Sequence, residues 1–517
     1  MRKQFLLFAL TLYVVTVFAQ DKPDSSIVNR IRVEGLNHSS VMDIAFHLTD
    51  ASGPRLMNSP GFFRAANWAK NTLKEWGLEN AALEPWGSFG KGWELQKSYI
   101  AMVAPYYKAI IGLPKAWTSG TNGLQHATVI IVNAKDSAEL LSYSGKLKGK
   151  IILTPPVDTL KPSYTADASR FADSQLTRMA AFQPAPRDTS MRRGGPRGLF
   201  QAAAQLNRIK ELAKKEGAIA IFTSSARGHD GTIFVQGGGA YTIQSPENFL
   251  DITLAFEDYM MLYRLVKENI PVNVDMDVQT KFSATDSTGY NVVAELKGTD
   301  KKLKDELVMI GGHLDSWHGA MGATDNAAGC AVMMEAMRIL KTLGVKPRRT
   351  IRIALWSAEE EGLIGSRNYV RNHFTDTATR KFNAAGDKLA AYFNLDNGTG
   401  KIRGVYTQGN AAVVPVFQQW LQPFNDLGAT TVTMQNTGGT DHLSFDAIGL
   451  AGFQFIQDGI EYNTRTHHTN MDSYDHLQPA DLMQAATIVA SFVYNAAMRE
   501  EKLPRKPFVA TATPRGF

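Results

Sequence analysis

Residues 307–329 read LVMIGGHLDSWHGAMGATDNAAG, and residues 351–360 read IRIALWSAEE. The first stretch opens with an apolar run, Leu307 to Ile310, that ends in His313 and Asp315. Asp325 follows in a glycine-rich loop, and the second apolar run ends in Glu359 and Glu360. Nitrogen and oxygen donors therefore gather where strands finish, which is where open α/β sheets place their sites. This pattern marks the centre of a metal-dependent hydrolase.

Working outward, the chain alternates strands and helices from Tyr290 onward. NVVAEL (291–296), the run at 307–310 and RTIRIALW (349–356) predict strands. Val332, Met333, Ala336, Met337 and Leu340 line one face of an intervening helix. Gly362 to Phe374 predicts a helix, AAYFNLD a strand ending at Asp396, and Leu450 to Gln457 another strand. A largely apolar helix starts at Pro479 and runs to about Met498. The expected fold is α/β, a mixed central sheet flanked by helices.

The candidate metal ligands are His313, Asp325, Glu360, Asp396 and His468. Imidazole and carboxylate without thiolate suit zinc or another divalent transition metal. Two histidines and three carboxylates can hold two ions if one carboxylate is shared between them. Such a pair can polarise a carbonyl and supply a nucleophile at neutral pH. Taken singly, a strand-end Asp is more often a helix cap, and a lone His is an ordinary hydrogen-bonded residue. Two adjacent glutamates ending an apolar strand are different, because like charges in a cleft repel unless a cation offsets them.

H-L-D…G-A-T-D-N-A-A-G, then A-L-W-S-A-E-E-E-G-L-I-G-S, N-L-D and H-H-T-N-M-D-S-Y-D resemble the two-zinc exopeptidase family. That family includes secreted bacterial aminopeptidases, plasma glutamate carboxypeptidase and the membrane glutamate carboxypeptidases. The resemblance covers about 290–475 and implies two Zn2+ ions per chain. It makes Asp325 the bridging ligand, His313 and Asp396 the completion of one site, and Glu360 and His468 of the other. Glu359 becomes the general base, Asp315 the carboxylate that orients an imidazole, and Glu361 faces away.

Some secreted aminopeptidases carry a tyrosine, as an oxyanion donor, shortly before an S-D-H element. Here Gly438-Gly439-Thr440-Asp441-His442 is the related element and Thr437 stands at the tyrosine's place. The donor is therefore absent or supplied by His467 or Tyr462. Asp441, His442, His467 and Tyr462 form the candidate substrate-binding set, and His318 and His442 have hydrogen-bonding rather than ligating roles. The resemblance implies cleavage of terminal peptide bonds, with an aminopeptidase first. A carboxypeptidase or dipeptidase of the plasma glutamate carboxypeptidase type is the alternative, ahead of a glutaminyl cyclase-like acyl transferase or a non-enzymatic receptor-like relative.

The remaining segments fit an exported enzyme. Arg2 and Lys3 precede an apolar run ending in Val17-Phe18-Ala19, which reads as a signal peptide over 1–19. Residues 20–124 form the first part of the peptidase domain, with a helix capped by Ser59-Pro60 and stopped at Gly77. Over 125–277, β-like runs at 127–132, 150–154 and 217–222 and a helix at 199–216 resemble a protease-associated domain insert. Within it, 183–198 is an Arg/Gly/Pro-rich loop, read as a surface linker. The second part of the peptidase domain spans 278–500 and a polar tail 501–517.

Composition agrees with a globular chain, at 44% apolar and 20% charged residues. Without Arg2 and Lys3, 53 basic residues of the original 55 face 49 acidic ones, a balance of +4 that argues against a nucleic-acid partner. Cys330 is the only cysteine, so no intrachain disulfide forms. The expected partner is a peptide or dipeptide substrate, with no stable membrane insertion after leader removal and the oligomeric state open.

Overall fold

The computed structural model describes residues 22–156, 159–184, 197–225, 227–379 and 381–507. The leader at 1–19, most of the 183–198 loop and the end of the tail lie outside the described residues.

Eight strands form the main sheet, in the spatial order Glu79–Ser88, Thr288–Leu296, Thr350–Trp356, Leu307–His313, Leu389–Asn394, Gly452–Gln457, Ile402–Tyr406 and Thr431–Thr433. The four central strands run parallel, and the sheet turns antiparallel toward both edges before a last parallel pair. Parallel strands covered on both faces must be apolar nearly throughout, which is why their sequences read as runs rather than alternations. Every residue of Leu307–His313 and of Leu389–Asn394 is buried. The Asp396 strand stops at Asn394, two residues before the expected end, because Leu395 and Asp396 already turn into the site loop.

Helices cover both faces. Pro479–Met498 and Ala328–Thr342 pack on one, where Phe393, Phe417, Phe453, Phe455 and Phe492 meet ring to ring. On the other face Trp356, Tyr369, Tyr392 and Phe445 form a second aromatic layer. Ser59 accepts the amide of Phe62 and opens the helix Pro60–Glu75, while Gly77 takes the left-handed conformation that ends it. The N-terminal segment holds two helices, Ser25–Asn37 and Val41–Leu48.

A second eight-stranded sheet stands beside the first, with its own core around Ile151, Phe222, Ile252, Val274 and Met276. It draws on Gly92–Ala104, Lys108–Ala109 and Gly112–Pro114 as well as on strands between 125 and 283. Four helices lie in this part of the chain, among them Arg197–Glu216 and Phe256–Lys267. The two sheets meet at the site. Trp93 donates to the Thr118 carbonyl at 2.9 Å, and its ring packs against His318 at 4.9 Å between centroids. Phe234 pairs with Thr469, and the Val235 amide donates to the carbonyl of His468 at 2.9 Å.

Two glycines let the central strand bring His313 to the site. A Cβ on Gly311 would fall 2.2 Å from the Ala354 carbonyl of the neighbouring strand, and one on Gly312 would fall 2.8 Å from the Leu395 carbonyl. Gly311→Ala therefore has to push Leu307–His313 away from Thr350–Trp356. Overpacking of this kind costs about 1–3 kcal/mol, which a thermal or urea unfolding comparison with the wild type will register.

Candidate metal centre

Asp325 sits at the middle of the cluster, and its two oxygens face opposite ways. Oδ1 lies 3.3 Å from His313 Nε2, and Oδ2 lies 3.1 Å from His468 Nε2. On the first side, His313 Nε2 is also 3.5 Å from Asp396 Oδ1. On the second, His468 Nε2 is 2.9 Å from Glu360 Oε2. The five candidate ligands thus come together as two groups sharing one carboxylate, although they come from strand ends and loops spread from 313 to 468.

The donor set fits divalent cations. Asp325 Oδ2, Glu360 Oε1 and Asp396 Oδ1 are buried and accept no hydrogen bond among the described residues. Buried carboxylate oxygens without donors are costly, and metal coordination is one of the few ways to satisfy them. Nitrogen and carboxylate ligands without thiolate match zinc chemistry. The proton affinities show the same crowding. Burial pushes Glu359 well above the ordinary glutamate range, with His313 opposing and Asp396 adding to it. Burial and the neighbouring Asp325 push Glu360 up to about 7. His468 is depressed by burial, but Glu360 and Asp325 more than reverse this and lift it to about 10.

The scaffold around the ligands is built from carboxylates and one buried arginine. Asp315 accepts the backbone amides of Glu359 and Glu360, each at 3.2 Å, so it fixes the turn that presents both glutamates. Its carboxylate stands 3.8 Å from His313 Nδ1, whereas its backbone carbonyl is 3.0 Å away. The carbonyl is therefore the closer partner of the imidazole, and the carboxylate serves mainly the glutamate turn. Asp472 does for Asp325 what Asp315 does for the glutamates, accepting the amides of Thr324 at 2.6 Å and Asp325 at 3.1 Å. Arg55 is fully buried and donates to the carbonyls of Leu48, Leu314, Met321 and Gly322, which ties down the loop between His313 and Asp325. Gly322 has φ 60° there, and a Cβ on it would meet the Ser316 side chain at 2.3 Å.

Not every predicted residue joins the cluster. His442 is buried with Nε2 2.8 Å from the Gln408 amide and 3.3 Å from the Thr437 carbonyl. His318 lies 2.7 Å from the Pro114 carbonyl, and burial pulls its pKa down to about 4, which makes it a neutral donor between the sheets. Tyr462 packs its ring on His467 at 4.8 Å, and burial together with Asp325, Asp396, Glu360 and Glu359 raises its phenol well above the usual range. Asp441 is fully buried beside Ser366, and burial raises it to about 7 against the opposing effects of His313 and Ser366. Glu361, expected to face away, has both oxygens buried and unpartnered. His467 Nε2 lies 3.8 Å from Asp325 Oδ2, farther out than His468.

Residues 291–493 match the model of peptidase family M28. They belong to that family. Over 463 residues, 89% of this chain and 85% of the relative, the sequence is 27% identical to carboxypeptidase Q of Bos taurus. It is 30% identical to aminopeptidase YwaD of Bacillus subtilis over 228 residues, 42% of this chain and 47% of that one. Among solved structures, a peptidase M28 precursor from Shewanella amazonensis superposes with a TM-score of 0.65 at 25% identity, covering 93% of this chain and 99% of the other. A zinc aminopeptidase from B. subtilis shares the fold at a TM-score of 0.55 and 19% identity, over 89% and 95%. The M28 match spans the strands and loops that carry all five candidate ligands, so the chain is a metallo-exopeptidase.

Asp472→Ala leaves the amides of Thr324 and Asp325 without their acceptor and lets Asp325 rotate. Metal affinity should fall by about 10–100-fold, the usual cost of losing a group that orients a ligand. Calorimetric titration of the metal-stripped protein with zinc measures it.

Proposed function

We propose that this chain is an exported zinc-dependent exopeptidase, with one ion held by His313, Asp325 and Asp396 and a second by Asp325, Glu360 and His468. The opposed oxygens of Asp325, each beside a different histidine, carry this reading. When bound, the two ions supply Lewis-acid polarisation of a carbonyl and a nucleophile at neutral pH.

The chain's own residues would do the rest. Glu359 lies on the turn fixed by Asp315 and is not among the closest histidine contacts of the cluster, which suits a group that moves a proton rather than one that ligates. It would take the proton of the attacking water and deliver it to the leaving amine. Asp315, Asp472 and Arg55 hold the ligand loops. The second sheet, which contacts the His468 loop through Phe234 and Val235, would wall the cleft and limit the length of peptide admitted. Its strands begin at Gly92 and end at Ser283, wider than the 125–277 bounds expected for a protease-associated insert. Export rests on the leader-like 1–19 segment; among the described residues no helix is long and apolar enough to cross a membrane.

Cleavage at a free N-terminus is the first reading. The second, a carboxypeptidase or dipeptidase, is favoured by one observation: the similarity to carboxypeptidase Q runs over 89% of the chain, and that to aminopeptidase YwaD over 42%. A panel of free dipeptides, N-blocked peptides and C-amidated peptides separates the two. An aminopeptidase cleaves the amidated set and spares the N-blocked one, and a carboxypeptidase does the reverse.

The adjacent glutamates give the sharper test. Glu359→Gln should keep two zinc ions and near-normal peptide binding, while turnover drops by about two to four orders of magnitude. Glu360→Gln should weaken one ion, with part of the activity returning at high zinc. Elemental analysis with single-turnover rates decides it, since metal loss in the Glu359 variant alone reverses the two roles. Chelation should abolish activity in the wild type and zinc or cobalt restore it.

A further inference from the structure

We infer that Arg227, reaching the metal cluster from the second sheet, fixes His467 so that its Nε2–H is the hydrogen-bond donor to the oxyanion formed on the scissile carbonyl. This rests on the peptidase reading above. It assigns the oxyanion donor, and it makes Arg227 a positioning residue.

The observations begin with a segment that belongs to one sheet and touches the other. After the strand Ala220–Ser224 the chain crosses to the His468 loop and is pinned there three times. The Ile233 amide donates to Asn470 Oδ1 at 2.7 Å, Phe234 pairs with Thr469, and the Val235 amide donates to the His468 carbonyl. Arg227 stacks its guanidinium 3.9 Å over the ring of Phe234. From that seat its terminal nitrogen lies 3.3 Å from His467 Nδ1.

Valence settles which nitrogen of His467 carries the proton. A guanidinium has donors and no acceptor, so Nδ1 must present its lone pair to Arg227. A neutral imidazole has one N–H, which therefore sits on Nε2. That nitrogen points into the cluster, yet at 3.8 Å from Asp325 Oδ2 it makes no hydrogen bond. Its proton is free for another acceptor. His468 is placed differently: its Nε2 stands within 3.1 Å of two ligand carboxylates, where a lone pair toward a cation is required. The neighbouring rings, 3.7 Å apart, thus take opposite roles, one ligand and one donor.

Thr437 and Tyr462 make different contacts. Thr437 stands where related sequences have a tyrosine, but its amide and carbonyl are both bonded to Gln408. Tyr462 packs its ring against His467 at 4.8 Å between centroids. In the reaction, water oxygen bonds to the carbonyl carbon and the π pair moves to the carbonyl oxygen, which accepts the His467 hydrogen bond. When that pair returns, the C–N bond breaks and the amine leaves with the proton that Glu359 took from water. The hydrogen bond from His467 is strongest while the oxygen is charged, and a donor of that kind acts on kcat rather than on substrate binding.

The test uses the zinc-loaded full-length enzyme. His467→Ala should lower kcat by about 10²–10³-fold, the effect of removing one oxyanion donor, with KM and the count of two ions unchanged. Arg227→Ala should lower kcat by about tenfold, again with KM unchanged, and Arg227→Lys should recover part of it. Imidazole 15N shifts should report His467 as the Nε2–H tautomer in the wild type and as a tautomer mixture in Arg227→Ala. The assignment is overturned by an Nδ1–H tautomer in the wild type, or by loss of an ion in His467→Ala, which would make it a ligand. It is also overturned if Arg227→Ala raises KM only for peptides with a free carboxylate, which would make Arg227 a substrate contact. A wild-type enzyme that cleaves nothing in the peptide panel overturns the peptidase reading instead, while the tautomer measurement still stands or falls by itself.

Discussion

Like-charge repulsion among buried carboxylates is the constraint on which this structure depends. Asp315, Asp325, Glu359, Glu360 and Asp396 lie in one cluster, with Asp441 and Asp472 close behind, and His313 and His468 are the histidines in direct contact with the ligand carboxylates. A protein interior tolerates this only where cations or hydrogen-bond donors meet each oxygen. The fold divides the work. Asp315 and Asp472 are satisfied by backbone amides, and those amides belong to the residues that must be aimed. Asp325, Glu360 and Asp396 each keep one buried oxygen without a hydrogen-bond partner, which suits candidate metal ligands. Asp315 and Asp472 are thus the carboxylates held by backbone amides, while each candidate carboxylate ligand keeps one unsatisfied oxygen.

Support for the cluster comes from parts of the chain remote in sequence. Arg55 binds carbonyls on both sides of the His313–Asp325 loop, and its own position depends on the helix Val41–Leu48. The strand carrying His313 can run between its neighbours only because Gly311 and Gly312 lack side chains. On the other flank the His467–His468 loop is held by the second sheet through Phe234, and by Asp167, which accepts from Arg465 at 2.6 Å. The His313–Asp325 loop and the His467–His468 loop are thus each also held by an element that supplies no candidate ligand.

How much of this was legible beforehand follows from the range of each interaction. Strands such as Leu307–His313 and Thr350–Trp356 were readable because both faces are buried and the sequence is apolar throughout. The helix at Pro60 was readable because its cap, Ser59, is local. The five candidate ligands are legible as a set, since short motifs mark each one at a strand end or in the loop that follows. Arg55 and Arg227 were not. The carbonyls that Arg55 binds in the His313–Asp325 loop lie 259–267 residues away, and Arg227 meets a histidine 240 residues away. No periodicity or spacing encodes such pairs. The role of Asp315 was half legible: its two-residue offset from His313 indicated an imidazole partner, and only the fold brings the Glu359 and Glu360 amides within its reach. Glu361, which the family resemblance sends away from the site, has both oxygens buried past a turn in which Ala358 takes φ 52°.

That turn also bears on why two adjacent glutamates can serve different ends. On a strand they would point to opposite faces, and one would leave the site. Here the chain leaves its strand at Trp356, and Asp315 grips the two successive amides with one oxygen each. A bidentate grip on neighbouring amides sets the direction of the backbone through both residues. Glu360 is carried to His468, while Glu359 is held under the electrostatic influence of His313 and Asp396 on the other half of the cluster. The divergence of the two adjacent glutamates is thus a backbone property, imposed by a third carboxylate that grips their amides.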